Sequence, residues 1–294
     1  MSLSNLRGNG VALVTPFNED LSIDFNALEN IINHIVRGNA AFIVVLGTTG
    51  EAAVLSFEEK LRVIDFVKEK VNGRLPLVLG YGGISTAELI AHLPDYDFSG
   101  YEAILSVTPF YVKPSQEGLF RHYSALADAA PRPVILYNVP GRTGVNMEPD
   151  TSLALSRHPN IIGIKEASGK LFQIEEILMR KSPDFLLFSG DDALTYHLVG
   201  LGADGVISVM ANAFPSEISD VVRGADSSDA ALASSARDTH FNLKALTKAV
   251  FADGNPCGIK YVLSRLGLCK NILRLPLVPV SGNTAANIDR LLRL

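Results

Sequence analysis

Apolar positions along the chain fall into two alternating kinds of segment. Short runs rich in β-branched residues recur roughly every 20 to 35 residues, a spacing typical of one strand and one helix per unit. Eight such runs have centres near Ala12, Val44, Val78, Leu105, Ile135, Gly163, Leu187 and Ile207. The runs are apolar at nearly every position, which predicts strands of a parallel sheet that helices cover.

The segments between the runs show the periodicity of amphipathic helices. The segment from Asp24 to Gly38 carries a stripe of Leu, Ile and Val at helical spacing, with Asp24 as the expected N-cap and Gly38 at the end. Ser56 and Glu59 form a capping-box pattern before the next stripe, and Asn72 stands where that helix is expected to end.

Eight strand–helix units predict a closed (β/α)8 TIM barrel rather than an open doubly wound sheet. After the eighth run, roughly 80 residues remain, which is more than the one helix that closes such a barrel requires. Three of the remaining stretches look helical and predict a small C-terminal helical extension. We expect a catalytic barrel domain over 1–224 and the extension over 225–294.

Composition narrows the class of protein. Of 294 residues, 47% are apolar, and 26 basic against 31 acidic side chains give a net charge of -5. This balance predicts neither a nucleic-acid partner nor a membrane surface. Cys257 and Cys269 have no histidine nearby in sequence, so we expect reduced thiols rather than a disulfide or a zinc site. No signal-peptide pattern or membrane-length apolar run occurs, which predicts a cytoplasmic protein.

The run "NIIGIKEASG" ends in a lysine at a point where a barrel enzyme has its active site, the carboxyl end of a strand. Strict alternation along a strand places Ile161, Gly163 and Lys165 on one face, and Ile162 and Ile164 on the other. A lysine in line with a glycine has space for its long side chain on that face.

Tyr137 ends the preceding run on the same face as Ile135. If both faces point inward, the amine of Lys165 and this phenol meet inside the barrel mouth. Desolvation there favours a neutral amine, which is a nucleophile. The alternative interpretation is a lysine ion-paired with a carboxylate of a neighbouring strand. The threonine, tyrosine and arginine residues at the other strand ends favour the nucleophile.

Other strand ends carry groups that suit anionic substrates. The loop Gly47–Gly50 offers hydroxyl and N–H groups for a small carboxylate, although it is also compatible with an ordinary tight loop. Arg142 could bind a second carboxylate through two hydrogen bonds, or form a surface ion pair. Asp191 and Asp192 resemble metal ligands, but a helix N-terminus explains them better. The six histidines are scattered, so we expect no metal site.

Several motifs occur together in one order: "GTTGE", "TPFY", "YNVPGRTG", "IKEASG", "SGDD" and "GNPCGIKYVLSRLG". Over essentially its whole length the chain thereby resembles the dihydrodipicolinate synthase / N-acetylneuraminate lyase family. The resemblance implies a condensation of pyruvate with L-aspartate 4-semialdehyde through a Schiff base, without metal or organic cofactor. The alternatives are an N-acetylneuraminate lyase or 2-keto-3-deoxy-acid aldolase of the same family, or a barrel that serves only as a scaffold.

The resemblance also implies roles for eight residues. Those implied in catalysis are Lys165, Tyr137, Thr48 and Tyr111. Those implied in substrate binding are Thr49, Arg142, Gly190 and Ile207. Lys165 corresponds to the Schiff-base lysine, and Arg142 to the residue that holds the carboxylate of the semialdehyde. Tyr111 is expected to reach into the site of a neighbouring subunit, which implies a homodimer or a homotetramer built as a dimer of dimers.

Feedback inhibition by lysine is expected to be weak. Many relatives bind lysine through polar side chains at three places: just after "GTTGE", in the loop that follows the third strand, and beside the tyrosine that follows the fourth strand. Here the corresponding positions lack most of those polar groups: Ala52, Phe57, Ile84 and Phe110. Only Glu88 keeps a group suited to an ammonium, and Lys60 adds a like charge.

Overall fold

Eight parallel strands close into a single barrel in the computed structural model of the chain, which describes residues 3–293. Each strand pairs with the next along the chain, and the last pairs with the first. The strands are β1 (Gly8–Ala12), β2 (Phe42–Val45), β3 (Leu77–Gly80), β4 (Ala103–Val107), β5 (Val134–Asn138), β6 (Ile161–Glu166), β7 (Leu186–Ser189) and β8 (Gly205–Ser208). The predicted (β/α)8 barrel is confirmed.

Helices separate the strands and continue beyond the last of them. They are α1 (Phe25–Arg37), α2 (Phe57–Val71), α3 (Thr86–Ala91), α4 (Gln116–Ala129), α5 (Pro140–Thr143), α6 (Pro149–Leu155), α7 (Leu171–Arg180), α8 (Thr195–Gly200), α9 (Pro215–Ala225), α10 (Ala230–Val250), α11 (Cys257–Arg265) and α12 (Gly282–Leu292). Short 3-10 turns lie at Leu3–Leu6, Thr48–Gly50, Ala52–Val54, Leu93–Asp95 and Met210–Asn212.

The predicted helix ends are confirmed. The Asp24 carboxylate accepts a hydrogen bond from the Ala27 amide at 2.9 Å at the start of α1. At the start of α2, Ser56 accepts from the Glu59 amide at 3.2 Å and its own amide donates to the Glu59 carboxylate at 2.9 Å. Asn72 ends α2 in the left-handed conformation, with φ 45°. These bonds satisfy backbone groups that a helix end leaves without an intrahelical partner.

The barrel interior is filled by one apolar cluster that takes residues from the same face of neighbouring strands. Its members include Ala12, Phe42, Val44, Val78, Leu105, Ile135, Tyr137, Leu186, Phe188 and Ile207. The opposite faces pack beneath the helices in two further clusters. The strands are thus buried on both sides, which explains why their sequences are apolar throughout.

Strict alternation is wrong for the beginning of β6. Val134 pairs with Ile161, but the next residue of β5, Ile135, pairs with Gly163, so that the register shifts by one residue at Ile162. Ile161 consequently packs in an outer cluster together with Ile164, whereas Ile162 contacts the interior cluster. Beyond this irregularity the alternation resumes and directs Lys165 inward, as predicted.

Gly163 does not provide open space, as the alternation argument assumed. A Cβ at this position would lie 2.6 Å from the carbonyl oxygen of Leu186 on β7, well inside contact distance. The glycine therefore permits close approach of two strands.

The C-terminal part packs as a helical layer on the barrel. α9 packs against β1 and α1, and α10 contacts α9, α11 and α12. The three predicted helical stretches correspond to α9, α10 and α11, and α12 was not predicted. The division at 224/225 stays a prediction. Cys257 and Cys269 are free thiols, and no helix among residues 3–293 is long and apolar enough to cross a membrane.

Candidate active site

The amine of Lys165 and the ring of Tyr137 meet inside the mouth of the barrel. The two residues are register partners on adjacent strands, β6 and β5. The Nζ atom of Lys165 lies 4.5 Å from the centroid of the Tyr137 ring, and the two residues are 5% and 7% exposed. Within the described part of the chain, Lys165 forms no ion pair with a carboxylate. This arrangement favours the nucleophile over the ion-paired lysine.

A buried polar network lies on the other side of the same strand end. Glu166 is fully buried and faces away from the interior. Its carboxylate accepts hydrogen bonds from Asn138 at 3.0 Å, from Gln173 at 3.1 Å and from the Ser168 amide at 2.7 Å. The three donors lie on β5, on α7 and in the loop after β6. By binding the Glu166 carboxylate they fix the end of β6, from which Lys165 projects.

The segment after β2 folds into a tight turn at the mouth. Thr48–Gly50 forms a 3-10 turn, in which the Gly50 amide donates to the Gly47 carbonyl at 3.1 Å. Thr15, after β1, donates from its hydroxyl to the Gly50 carbonyl at 2.7 Å. Thr48 is exposed and Thr49 is 2% exposed. The two threonines thus point into different environments although they are adjacent in sequence.

Arg142 lies in the short helix α5, just after β5, and its side chain is exposed. Its Nη2 atom donates to the backbone carbonyl of Asn255 at 3.1 Å. Among residues 3–293 it has no carboxylate partner. Arg142 therefore does not form the surface ion pair that was the alternative interpretation. Its guanidinium retains N–H donors for an anion.

Tyr111 lies in the loop after β4, and its side chain is 87% exposed. Its φ of 69° is unusual for a bulky residue. The backbone amide donates to the Thr143 carbonyl at 3.3 Å, whereas the phenol makes no hydrogen bond within residues 3–293. The structure therefore does not bring Tyr111 into the pair formed by Lys165 and Tyr137 of the same chain.

Gly190 and Ile207 complete the set of predicted residues. Gly190 follows β7, and its amide donates to the Glu166 carbonyl at 2.8 Å. A Cβ on Gly190 would lie 2.5 Å from the Cβ of Ala167, so only glycine allows the loops after β6 and β7 to approach this closely. Ile207 is buried in the interior cluster on β8.

The two aspartates after β7 have different partners. Asp191 accepts a hydrogen bond from the Ala193 amide at 2.9 Å. Asp192 is buried and reaches the next strand end, where it accepts from the Val209 and Met210 amides and from Ser208. Burial raises the pKa of the Asp192 carboxyl, and these donors oppose that rise. Asp192 therefore caps the turn after β8, whereas the sequence argument placed both aspartates at the helix after β7. In residues 3–293, no cluster of three potential metal ligands occurs.

The sequence argument missed two groups of residues at the mouth. One is the network around Glu166, for which a buried acid directly after Lys165 was an available signal. The other comes from the C-terminal extension: Asn255 contacts Thr49 and Arg142, and Lys260 forms a fully buried ion pair with Glu51. No local pattern connects these residues, since Asn255 lies 206 positions from Thr49 and 113 positions from Arg142 in the chain.

The geometry suits covalent chemistry on a small ketone. A buried amine without a carboxylate partner can add to a carbonyl, and an adjacent phenol can move protons. Hydroxyl groups after β2 and a guanidinium after β5 offer donors that suit carboxylates.

Comparisons with known proteins place the whole chain in one family. A sequence model of the Dihydrodipicolinate synthetase family matches residues 5–293. The 4-hydroxy-tetrahydrodipicolinate synthase of Parabacteroides distasonis is 48% identical over 290 residues, which cover 98% of this chain and 97% of the relative.

Solved structures show the same likeness. Dihydrodipicolinate synthase from Acinetobacter baumannii, a chloride-inhibited form complexed with pyruvate, superimposes with a TM-score of 0.93 at 38% identity and covers 98% of each chain. A dihydrodipicolinate synthase described as the first monomeric variant gives a TM-score of 0.92 at 34% identity, covering 98% of this chain and 96% of the variant. The chain belongs to the dihydrodipicolinate synthetase family.

Proposed function

We propose that the chain condenses pyruvate with L-aspartate 4-semialdehyde to 4-hydroxy-tetrahydrodipicolinate, a step of lysine and diaminopimelate biosynthesis. The observation that carries the proposal is the buried amine of Lys165 beside the Tyr137 ring, without an ion-pair partner in the described residues. The relatives that bear the name 4-hydroxy-tetrahydrodipicolinate synthase support it, as does the relative crystallised with pyruvate. The enzyme is a lyase of the class I aldolase type.

The amine of Lys165 provides the electron sink of the reaction by forming an iminium with pyruvate. The amine adds to the ketone of pyruvate and loses water, which gives an iminium. Loss of a methyl proton then yields an enamine, whose carbon attacks the aldehyde of the second substrate. The aldehyde oxygen takes a proton and becomes the hydroxyl group. The α-amino group of the semialdehyde adds to the imine carbon, and Lys165 leaves as a free amine. No organic cofactor is required, because the protein supplies the sink.

The surrounding side chains bind the carboxylates and move the protons. In this proposal Tyr137, Thr48 and Tyr111 of the partner subunit relay protons. Thr48 and Thr49 bind the carboxylate of pyruvate, and Arg142 binds that of the semialdehyde. The buried position of Thr49 and the exposed guanidinium of Arg142, which has no carboxylate partner among residues 3–293, support these two assignments.

Gly190 and the backbone of Ile207 line the site near the bound pyruvate. Gly190 does so by letting the loops after β6 and β7 close on each other. Ile207 is the third of the four residues of β8 and its side chain belongs to the interior cluster, which supports this assignment.

A lyase or aldolase of the same family is the second candidate. An N-acetylneuraminate lyase or 2-keto-3-deoxy-acid aldolase would use the same lysine and tyrosine. Arg142 favours the synthase, because a carboxylate at this position gains from a cation, whereas a polyhydroxylated chain prefers neutral hydrogen-bonding groups.

The decisive assay compares two substrate pairs. Purified protein is incubated with pyruvate plus aspartate semialdehyde, and in parallel with pyruvate plus N-acetylmannosamine. We expect turnover only with the first pair, followed as pyruvate consumption and as product mass. Turnover only with the sugar would identify a lyase, and no turnover with either would contradict the proposal.

The functional assembly is a homodimer or a homotetramer, built as a dimer of dimers. Two separate apolar surfaces support this part of the proposal. One surrounds Tyr111 and includes the exposed Val112. The other lies on α7, where Phe172 is 90% exposed and Met179 stands two helical turns later. The monomeric relative makes a measurement necessary. Sedimentation velocity should show a dimer or tetramer, and Phe172→Asp should convert a tetramer into a dimer.

The location is the cytoplasm. The free thiols Cys257 and Cys269 support it, since disulfides are rare in that reducing compartment. Fractionation of cells followed by an immunoblot tests this assignment.

A further inference from the structure

Asn255 lies between the two proposed carboxylate sites, although it belongs to the loop between α10 and α11, outside the barrel. It is 7% exposed. Its side-chain Nδ2 atom donates to the Thr49 hydroxyl at 2.9 Å, and its backbone carbonyl accepts from Arg142 at 3.1 Å. One residue of the extension therefore contacts both groups that are proposed to bind substrate carboxylates.

The contact with Thr49 determines what its hydroxyl can do. A hydroxyl has one proton to donate and two lone pairs that accept. Because the hydroxyl of Thr49 accepts from Asn255, its own proton remains available for another acceptor. A carboxylate is such an acceptor, and a hydrogen bond to an ionised group is stronger than one between neutral groups.

The same extension also holds the rest of the turn that carries Thr49. Lys260 on α11 pairs with Glu51 in a fully buried ion pair, and the Arg274 amide donates to the Glu51 carboxylate at 3.3 Å. Burial lowers the pKa of the Lys260 ammonium, and the Glu51 carboxylate opposes that shift. Breaking a buried pair of this kind is strongly destabilising, because it leaves one charge buried without its partner. The turn is thereby anchored at Glu51 as well as at Thr49.

We propose that Asn255 is a positioning residue for pyruvate: its side-chain amide orients the Thr49 hydroxyl so that this hydroxyl donates to the pyruvate carboxylate. Its backbone carbonyl separately supports Arg142. This inference rests on the proposed function, because it assumes pyruvate as the first substrate. It assigns the C-terminal extension a part in substrate binding in addition to its packing on the barrel.

The two contacts of Asn255 can be separated by substitution. Asn255→Ala removes the amide donor and keeps the backbone carbonyl that Arg142 uses. We expect KM for pyruvate to rise about fivefold to tenfold, in line with the loss of one hydrogen bond. KM for the semialdehyde and kcat should change less than about twofold, since the carbonyl remains.

Asn255→Asp tests the role of the side-chain N–H donor more stringently. This substitution keeps the shape of the side chain but places an acceptor oxygen against the Thr49 hydroxyl. KM for pyruvate should rise roughly 10- to 100-fold, because the hydroxyl then donates to the introduced carboxylate and a negative charge lies near the bound pyruvate. Asn287→Ala, an exposed asparagine of the same extension, is the control and should leave both KM values unchanged.

A double-mutant cycle links the effect to Thr49. Thr49→Val removes the hydroxyl, and Asn255→Ala in that background should have little further effect on KM for pyruvate. Thr49→Ser keeps a hydroxyl and should preserve the dependence on Asn255. Pyruvate binding is also measured alone, as the pyruvate concentration that gives half-maximal borohydride trapping, and circular dichroism confirms folding of each variant.

The outcomes separate this inference from the proposed function. If wild-type protein is not trapped by pyruvate and borohydride, the proposed function fails. If wild-type protein is trapped but Asn255→Ala and Asn255→Asp bind pyruvate normally, only the inference fails. Equal losses for both substrates, or additive effects with Thr49→Val, would also overturn it, because they indicate a general structural role.

Discussion

Two pairs of residues in the proposed site are held in very different ways. The inner pair, Lys165 and Tyr137, is buried on adjacent strands in direct register. The outer pair, Arg142 and Tyr111, is exposed on segments that follow the strands. In the proposed mechanism, a single chain therefore supplies the pair that captures pyruvate. Under the same proposal, binding of the second substrate and the part of the proton relay that Tyr111 provides depend on segments outside the sheet.

The physical cause lies in what fixes each pair. Backbone hydrogen bonds of the ladder and the buried network of Glu166 hold the inner pair at the ends of β5 and β6. Tyr111 has a positive φ and an unpartnered phenol in the described chain. A positive φ at a bulky residue persists only where the surroundings stabilise it, and a partner subunit can provide that stabilisation for Tyr111.

The largest effect is expected at the inner pair. Lys165→Ala should reduce activity by at least about three orders of magnitude, because it removes the amine that is proposed to form the imine. Lys165→Arg should be equally inactive, since a guanidinium stays protonated and cannot attack. Treatment with pyruvate and borohydride should add a stable mass to the wild-type peptide that holds Lys165. Persistent labelling of Lys165→Ala would assign the imine to another residue.

The next effect concerns Arg142 of the outer pair. Arg142→Ala should lower kcat/KM for the semialdehyde roughly 10- to 100-fold, because a hydrogen bond to a charged group contributes about 1.5–3 kcal/mol. Imine formation with pyruvate should survive, as trapping by borohydride can show. Loss of trapping together with an unchanged KM for the semialdehyde would reverse the assignment. Arg142→Lys keeps the positive charge without the planar guanidinium. Its kcat/KM for the semialdehyde should lie between those of the wild type and Arg142→Ala.

A smaller effect tests whether Tyr111 belongs to the neighbouring site. Tyr111→Phe and Tyr137→Phe chains are each purified, unfolded together and refolded. In a mixed dimer, one site combines the native Tyr137 of one chain with Tyr111 of the partner subunit. Random pairing should then restore about a quarter of wild-type activity. Mixed dimers of verified composition that regain no activity would show that each chain uses its own Tyr111.

The smallest effect is expected for lysine as an inhibitor. Phe57, Ile84 and Phe110 are exposed apolar side chains at positions where the family resemblance implies hydrogen-bonding groups. Each polar group of lysine that is buried without a partner costs roughly 1–3 kcal/mol, so two or three such losses weaken binding by orders of magnitude. Initial rates at fixed substrate concentrations should be nearly independent of lysine up to the millimolar range. Half-inhibition at submillimolar lysine would contradict this prediction.

The sequence by itself determined the eight strands, the helical segments between them and the location of the proposed chemistry. Apolar runs and helix caps such as Asp24 and Ser56 predicted the barrel, because these signals act between residues a few positions apart. The position of Lys165 at the end of a run predicted a buried amine, since strand ends of a barrel share one mouth. The family motifs then pointed to the proposed reaction.

Only the tertiary structure decided which distant residues complete the site. The register shift at Ile162, the reach of Asp192 to the turn after β8 and the contact of Asn255 with Thr49 have no counterpart in local periodicity. Each depends on how closely two strand ends approach once the barrel closes and the extension packs on it. Hydrophobic periodicity specifies the face of an element, whereas hydrogen bonds between remote segments form only where the folded backbone brings donor and acceptor within about 3 Å.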